Sequence, residues 1–330
     1  MNILIIGLGS IGQRHLRNLQ KIKPSANFFT IRKKDRNILI KDKKKIKSAN
    51  LQNYFKIKKI TLKEVERIKI DLTLICNPTS LHSKYLYFFL KKNSHIFVEK
   101  PLYCSSKELA KIIKLNKKYK RIINVGYQFR FHPLIKLVKK IICDKRFGPV
   151  ISASFTNKCY LPDFHPYENY KKSYAAIKKL GGGVLNTLSH EVDLIAFFFG
   201  LPKKKFSFET NSKRLKINAN DIFEAILFYE SNSFFNVNLS LSLSEKNEKK
   251  RNFEIIFSKG KLICDIKKNN LRILNFKSKK IQTINYKNGL NQIYVDELKS
   301  MLKNMKKKFP TNISLEKNLE TELLLQSFKI

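Results

Sequence analysis

Three short segments hold residues whose types and spacing suit chemistry. In the first, Val98-Glu99-Lys100-Pro101, a lysine stands at the end of an apolar, strand-like run, His95–Val98. An ammonium there can hydrogen-bond a hydroxyl and stabilise an oxygen whose charge changes during reaction, and Pro101 fixes the backbone behind it. In the second, Gly181-Gly182-Gly183 precedes Val184–Leu194, where Asn186, His190 and Asp193 recur at i, i+4 and i+7. On a helix they would share one face, and a histidine on such a stripe suits proton transfer near neutral pH. These residues alone leave the bland readings open. Lys100 could be one more surface lysine, and His190 a histidine hydrogen-bonded in a domain interface.

The third segment is Gly7-Leu8-Gly9-Ser10-Ile11-Gly12, directly behind the apolar run Ile3–Ile6. A strand, a glycine turn and a helix in this order form a dinucleotide cradle. Gly7 permits the turn, Gly9 admits a pyrophosphate, and Gly12 lets the helix lie against the strand, with free N–H groups at Ser10 and Ile11. The second strand, Asn27–Ile31, is followed by Arg32-Lys33-Lys34, with no carboxylate before Asp35. An acid there would bind the 2′-hydroxyl of NAD, whereas a base accepts the 2′-phosphate of NADP. NADP(H) is therefore the preferred cofactor, with Arg32 or Lys33 on the phosphate; NAD(H) is the alternative.

The elements that must position these groups change character along the chain. To about residue 125, strands alternate with helices: helix Ile11–Ile22, strand Asp71–Cys76, a helix to Lys91, strand His95–Val98, a helix to Lys118 and strand Arg121–Val125. Thr61–Glu64 and Ser105–Glu108 read as capping boxes. Tyr54–Ile57 reads as a further strand. Beyond a helix from Pro133 to Ile142, β-rich runs dominate, among them Val150–Asn157, Phe206–Lys216 and Phe234–Leu243, and helices Gln292–Lys306 and Leu315–Phe328 close the chain. The expected fold is α/β. Residues 1–125 form an N-terminal Rossmann doubly wound parallel sheet. Residues 126–330 form a C-terminal α+β domain with a large open, mostly antiparallel sheet.

Composition narrows the classes. The 330 residues are 43% hydrophobic, enough for packed cores. No apolar run is long enough to span a membrane, and Met1-Asn2 runs straight into a strand, against a signal peptide. The five cysteines are scattered and odd in number. They read as reduced thiols in a cytoplasm, with neither a disulfide frame nor a metal centre expected. The net charge of +42 would draw anionic ligands. It is spread along the chain, carried mostly by lysine, and lacks a nucleic-acid motif, so no specific nucleic-acid partner is expected. The chain stops inside a helical pattern at Ser327–Ile330, as though a short terminal piece were missing.

Together the glycine turn, Cys76-Asn77-Pro78-Thr79-Ser80-Leu81-His82, Glu99-Lys100-Pro101, Gly126–Pro133 and Gly181–Asp193 resemble the Gfo/Idh/MocA family of NAD(P)-dependent oxidoreductases. The resemblance covers roughly the first 200 residues. It implies that Lys100 polarises a substrate hydroxyl or carbonyl and that His190 exchanges the proton. It implies that Asp193 helps to hold the substrate, with Arg130 and His132 near the cleft. Residues 76–80 would line the nicotinamide side, His82 within the same motif, and Glu99 would order it. Members usually carry an aspartate three or four residues before the histidine. Here Thr187 and Asn186 stand there, and Asn186 can hold a hydroxyl but not accept a proton.

The loop Cys159–Tyr170, followed by Tyr174, offers aromatic faces for a sugar ring, with Tyr160 and His165 as candidate contacts. It is similar to a branch associated with surface-sugar biosynthesis. The expectation is an NADP(H)-dependent oxidoreductase acting on a sugar, amino sugar or sugar nucleotide, working as a homodimer or homotetramer. The rivals are a dinucleotide sensor without catalysis and a nonspecific nucleic-acid binder.

Overall fold

The computed structural model describes residues 1–32, 38–41, 44–48, 50–102, 105–230, 234–306 and 315–329. Lys33, Asp35 and Cys104 lie outside them. The first half contains β1 (Asn2–Ile6), α1 (Ser10–Ile22), β2 (Asn27–Ile31), β3 (Ile38–Lys41), β4 (Lys44–Ser48), α2 (Leu51–Phe55), β5 (Lys58–Lys59), β6 (Leu72–Ile75), α3 (His82–Lys91), β7 (His95–Glu99), α4 (Ser106–Tyr119), β8 (Ile123–Gly126) and α5 (Pro133–Cys143). Six strands form a parallel sheet in the order β5-β2-β1-β6-β7-β8. The order reverses between β1 and β6, and ligands of such sheets sit at the carboxyl ends of the strands beside that switch point. Burial explains why β1 and β6 read as unbroken apolar runs: helices cover both faces, and Ile3, Leu4, Ile5, Leu72 and Leu74 are fully buried.

The second half contains β9 (Val150–Lys158), α6 (Val184–Thr187), α7 (Ser189–Phe199), β10 (Lys204–Thr210), β11 (Ile222–Glu230), β12 (Phe234–Ser242), β13 (Lys250–Phe257), β14 (Gly260–Asp265), β15 (Asn270–Asn275), β16 (Ile281–Asn285), α8 (Asn291–Met305) and α9 (Leu315–Ser327). Eight strands make one open sheet, β10-β11-β12-β9-β13-β14-β15-β16. Only β12 and β9 run parallel. The inward residues Phe155, Leu239, Leu241, Phe253 and Ile255 pack with Val192, Leu194 and Ile195 of α7 in one core. The last helices cross back. Leu298, Met301 and Leu302 of α8 complete the core beneath Ile3 and Ile5, so the chain's end helps hold the first domain together.

Three local expectations are corrected. Residues 51–55 form a helix, not a strand at 54–57, because Asn50 accepts from Gln52 N and Asn53 N and caps it. The strand expected to reach Lys216 stops at Thr210, because Asn211 Nδ2 bonds the Ile217 and Ala219 carbonyls and folds the chain into a turn. The helix expected through 184–194 breaks at Leu188 (φ −103°, ψ 27°), so Asn186 does not continue the face of His190 and Asp193. Both capping boxes form, at Thr61/Glu64 and Ser105/Glu108. Among the described residues no helix is long and apolar enough to cross a membrane.

Candidate active site

The glycine turn has the geometry a dinucleotide needs. Gly7 has φ +92°, and a Cβ there would lie 2.8 Å from the Cys76 carbonyl oxygen. A Cβ on Gly12 would lie 2.1 Å from the Gly7 oxygen, whereas one on Gly9 would meet nothing within 4 Å. The first and last glycines are thus required by packing, and the middle one faces open space where a phosphate can approach. No side chain caps α1, which begins at Ser10 and Ile11, leaving its first N–H groups for an anion. These residues fit a bound dinucleotide. Arg32 follows β2 beside this turn, where the Gly7 N–H reaches the Ile31 carbonyl.

Across the switch point, Asn77, Pro78 and Thr79 form the loop after β6. Gly181 (φ +81°) would place a Cβ 2.9 Å from Thr79 Cβ, so this glycine lets the second domain close onto the loop. Cys76 is packed into the core with Leu8 and Leu74, and burial raises its thiol pKa. Its side chain is structural. His82, expected on the cofactor, is a brace instead. It is 1% exposed, with Nδ1 2.9 Å from the Pro101 oxygen and Nε2 3.0 Å from the Asn77 oxygen. It ties the loop after β6 to the end of β7.

Lys100 crosses the seam. Its Nζ donates to the Thr187 carbonyl oxygen at 2.6 Å, at the break just before His190. Burial pulls the ammonium down to about 8, and Glu99 opposes that pull. Glu99 is held by His15 Nε2 at 2.7 Å and accepts from the Lys100 N–H at 3.2 Å. His190 is 8% exposed. Gln128 Nε2 lies 3.3 Å from His190 Nε2 and donates to the Tyr294 hydroxyl at 3.1 Å. Burial, then the charges of Lys100 and Arg251, keep the imidazole pKa low. His190 Nδ1 has no partner among the described residues.

Asp193 and Arg130, expected at the cleft, bond each other. Asp193 is fully buried, and its carboxylate is held by Arg130 Nη2 at 2.6 Å and the Thr321 hydroxyl at 2.9 Å. These bonds tie α7 to α9 and to the turn at residues 128–131, with the Asp193 side chain fully buried. Asn186 Nδ2 turns back to the Gly181 carbonyl, while its Oδ1 is buried without a partner among the described residues. His132 caps α5 by accepting from Leu134 N. Tyr160 bridges Ser244 through backbone, and His165 pairs with Glu168 at 3.0 Å. His165 lines a small recess with Phe164, Tyr170 and Tyr174, and burial followed by the charge of Glu99 pushes the Tyr174 phenol up to about 12.

Sequence reasoning missed His15, Gln128, Arg251 and Tyr294. They come from four separate elements, and no spacing joins them. Only His15, three residues after Gly12, and Gln128, inside the Gly126–Pro133 motif, stood close to a recognised segment.

A parallel sheet with a glycine cradle, seamed to an open sheet, defines a two-domain dinucleotide-binding α/β protein. Residues 1–127 match the description "Oxidoreductase family, NAD-binding Rossmann fold", and residues 135–263 match the GFO/IDH/MocA C-terminal domain. The chain belongs to the Gfo/Idh/MocA family. It is similar to a myo-inositol 2-dehydrogenase of Thermotoga maritima, 27% identical over 202 residues, 61% of this chain and 55% of the relative. An inositol 2-dehydrogenase of Rhizobium meliloti is 29% identical over 132 residues, 40% of this chain and 37% of the relative. The chain spans about half or less of the length of these relatives.

Among solved structures, a levoglucosan dehydrogenase in complex with NADH and levoglucosan superposes with TM-score 0.83 at 15% identity, covering 100% of this chain and 96% of the other. A biliverdin reductase from Synechocystis sp., in complex with biliverdin and NADP+, gives 0.77 at 14% identity, covering 99% and 98%. At these identities the likeness establishes the fold.

Proposed function

We propose that the protein is an NADP(H)-dependent oxidoreductase, also able to use NAD(H), that interconverts a hydroxyl and a carbonyl on a sugar, amino sugar or sugar nucleotide. The observation that carries this reading is the bond from Lys100 Nζ to the Thr187 carbonyl. It brings the ammonium of the first domain against the helix start that bears His190, at the carboxyl end of the parallel strand β7. When bound, the nicotinamide gives or accepts a hydride at C4. Lys100 spends one of its three N–H donors on Thr187, which leaves two for a substrate oxygen. His190 rests as the neutral imidazole, with Nε2 turned to the Gln128 amide. When a hydroxyl is oxidised it takes up the hydroxyl proton and becomes imidazolium; when a carbonyl is reduced the imidazolium gives the proton to the oxygen and returns to neutral. Lys100 stabilises the oxygen's changing charge.

Arg32, with no acid at the end of β2, supports the preference for NADP(H). The aromatic recess behind Tyr174 and the inositol and levoglucosan dehydrogenases among the similar proteins support a polyhydroxylated substrate. None of the four described cysteines forms a disulfide with another, which suits a cytoplasmic setting. The outer face of the large sheet supports self-association. Its central row Phe228–Asn236–Ser152–Ile256 is uncharged across four strands, with Lys204 and Lys261 at its two ends. Phe206, 69% exposed, stands opposite Ile226. Two copies meeting there would bury the exposed Phe206, Ile226 and Phe228 side chains. Turnover assays on Lys100→Ala and His190→Ala test the reading. Each is expected to lose at least about 100-fold in kcat while keeping its affinity for NADPH. Unchanged turnover in both would sink the mechanism.

A further inference from the structure

Arg251, the second residue of β13, stands opposite Asn157 of β9, on the sheet face turned toward α7. Its guanidinium stacks over Phe129, 4.5 Å from the ring centre. The Phe129 ring in turn packs edge-on against His190, 5.0 Å between centres. The charge of Arg251 also lowers the pKa of both Lys100 and His190. The guanidinium therefore lies beside the pair assigned to the reaction.

Its own bonding is incomplete. Nε donates to Glu191 Oε1 at 2.7 Å, and among the described residues this is the side chain's only hydrogen bond. An arginine serving only to neutralise a carboxylate usually closes a two-pronged fork on it. Here one prong is used and both Nη groups are uncommitted. The Arg251 side chain is 25% exposed, against 2% for Glu191, so of the two partners the arginine is the accessible one. Glu99, the other nearby carboxylate, is already taken by His15.

We propose that the substrate carries an anionic group, a carboxylate or a phosphate, and that the two Nη groups of Arg251 receive it and so set the reacting carbon before Lys100 and His190. The planar fork matches the paired oxygens of either group, and the basic chain concentrates anions around the cleft. This rests on the oxidoreductase reading above and narrows its substrate class.

The test is calorimetric binding of glucuronate, glucose 6-phosphate and glucose to the full chain, saturated with NADP+, at about 0.15 M salt, where loose surface attraction is screened. The wild type is expected to bind at least one of the two anions about tenfold or more tightly than glucose, a difference of about 1.4 kcal/mol. Which anion wins tells carboxylate from phosphate. Arg251→Gln is expected to erase the preference without weakening glucose binding. Arg251→Lys, which can still pair with Glu191, keeps part of it. Lys279→Gln, an exposed control in the β15–β16 turn, leaves it intact. An anion-to-glucose ratio equal in wild type and Arg251→Gln, or no preference for either anion, overturns the proposal. Lys100→Ala separates it from the underlying reading. Lost turnover with the anion preference retained supports both. Full turnover in Lys100→Ala with the preference retained leaves Arg251 standing and removes the assigned mechanism.

Discussion

At Lys100 the environment sets the charge, and the charge sets the pH range of activity. Burial brings the ammonium down to about 8, so it is mostly charged at neutral pH and neutral above about 9. Carbonyl reduction needs the charged form to stabilise the forming alkoxide. The reductive kcat/KM is therefore expected to fall as pH rises through about 8, read from a pH–rate profile; a limb no lower than 10 contradicts this. Glu99, whose charge opposes the effect of burial, is anchored by His15, so His15→Ala frees Glu99 without touching a reacting atom. That variant is expected to shift the same limb while leaving dinucleotide affinity unchanged; a limb that stays in place denies His15 this positioning role. Lys100 and His190 were visible in the sequence because each sits beside glycine or proline punctuation at an element's end. The roles of Asp193 and Arg130 were not visible, since Thr321, which closes their buried pair, arrives from a helix 128 residues away.

The turn after β1 and helix α9 carry the predictions at the scale of elements. A methyl on Gly9 meets nothing, whereas one on Gly12 collides with the Gly7 carbonyl. Gly9→Ala is expected to keep the melting temperature within a degree or two, on the order of less than 0.5 kcal/mol, and to weaken NADPH binding at least about tenfold. Gly12→Ala is expected to lose both. Melting curves and titrations of the two variants check this; a Gly9→Ala protein that binds normally would show that the open space is not the phosphate site.

Helix α9 is fastened by Glu322, which accepts from Leu102 N at 3.2 Å and the Tyr127 hydroxyl at 3.0 Å. Burial lifts its carboxyl to about 7. With the folded value above the unfolded one, its contribution is full below about 4.5 and is lost as pH rises through 7. Glu322→Gln keeps an acceptor oxygen and is expected to gain up to about 3 kcal/mol over wild type at pH 8, with no gain at pH 4; equal gains at both pH values contradict the assignment. The strands and capping boxes were readable from local pattern. The break at Leu188 and the Asn50 cap were not, because side-chain bonds to backbone overrode the local periodicity.

For the whole molecule, the doubly wound half was legible because buried strands and glycine turns alternate in sequence. The return of α8 to the first domain was not, since an amphipathic helix does not declare which core receives it. The exposed aromatic side chains on the outer face of the sheet predict a dimer. Replacing Phe206 and Phe228, both exposed on that face with rings 6.2 Å apart, by glutamate is expected to give monomers in sedimentation, with turnover per chain largely kept; a wild type that is already monomeric at micromolar concentration removes the interface.

The central claim is that the cradle and the Lys100–His190 seam form one nicotinamide-dependent site. Fluorescence titration of wild type, Gly9→Ala and Lys100→Ala with NADPH and with NADH tests it most directly. Wild type and Lys100→Ala should bind NADPH alike and more tightly than NADH, and Gly9→Ala should bind neither well. Binding of neither dinucleotide by the wild type would reduce the glycine turn to a turn and contradict the account.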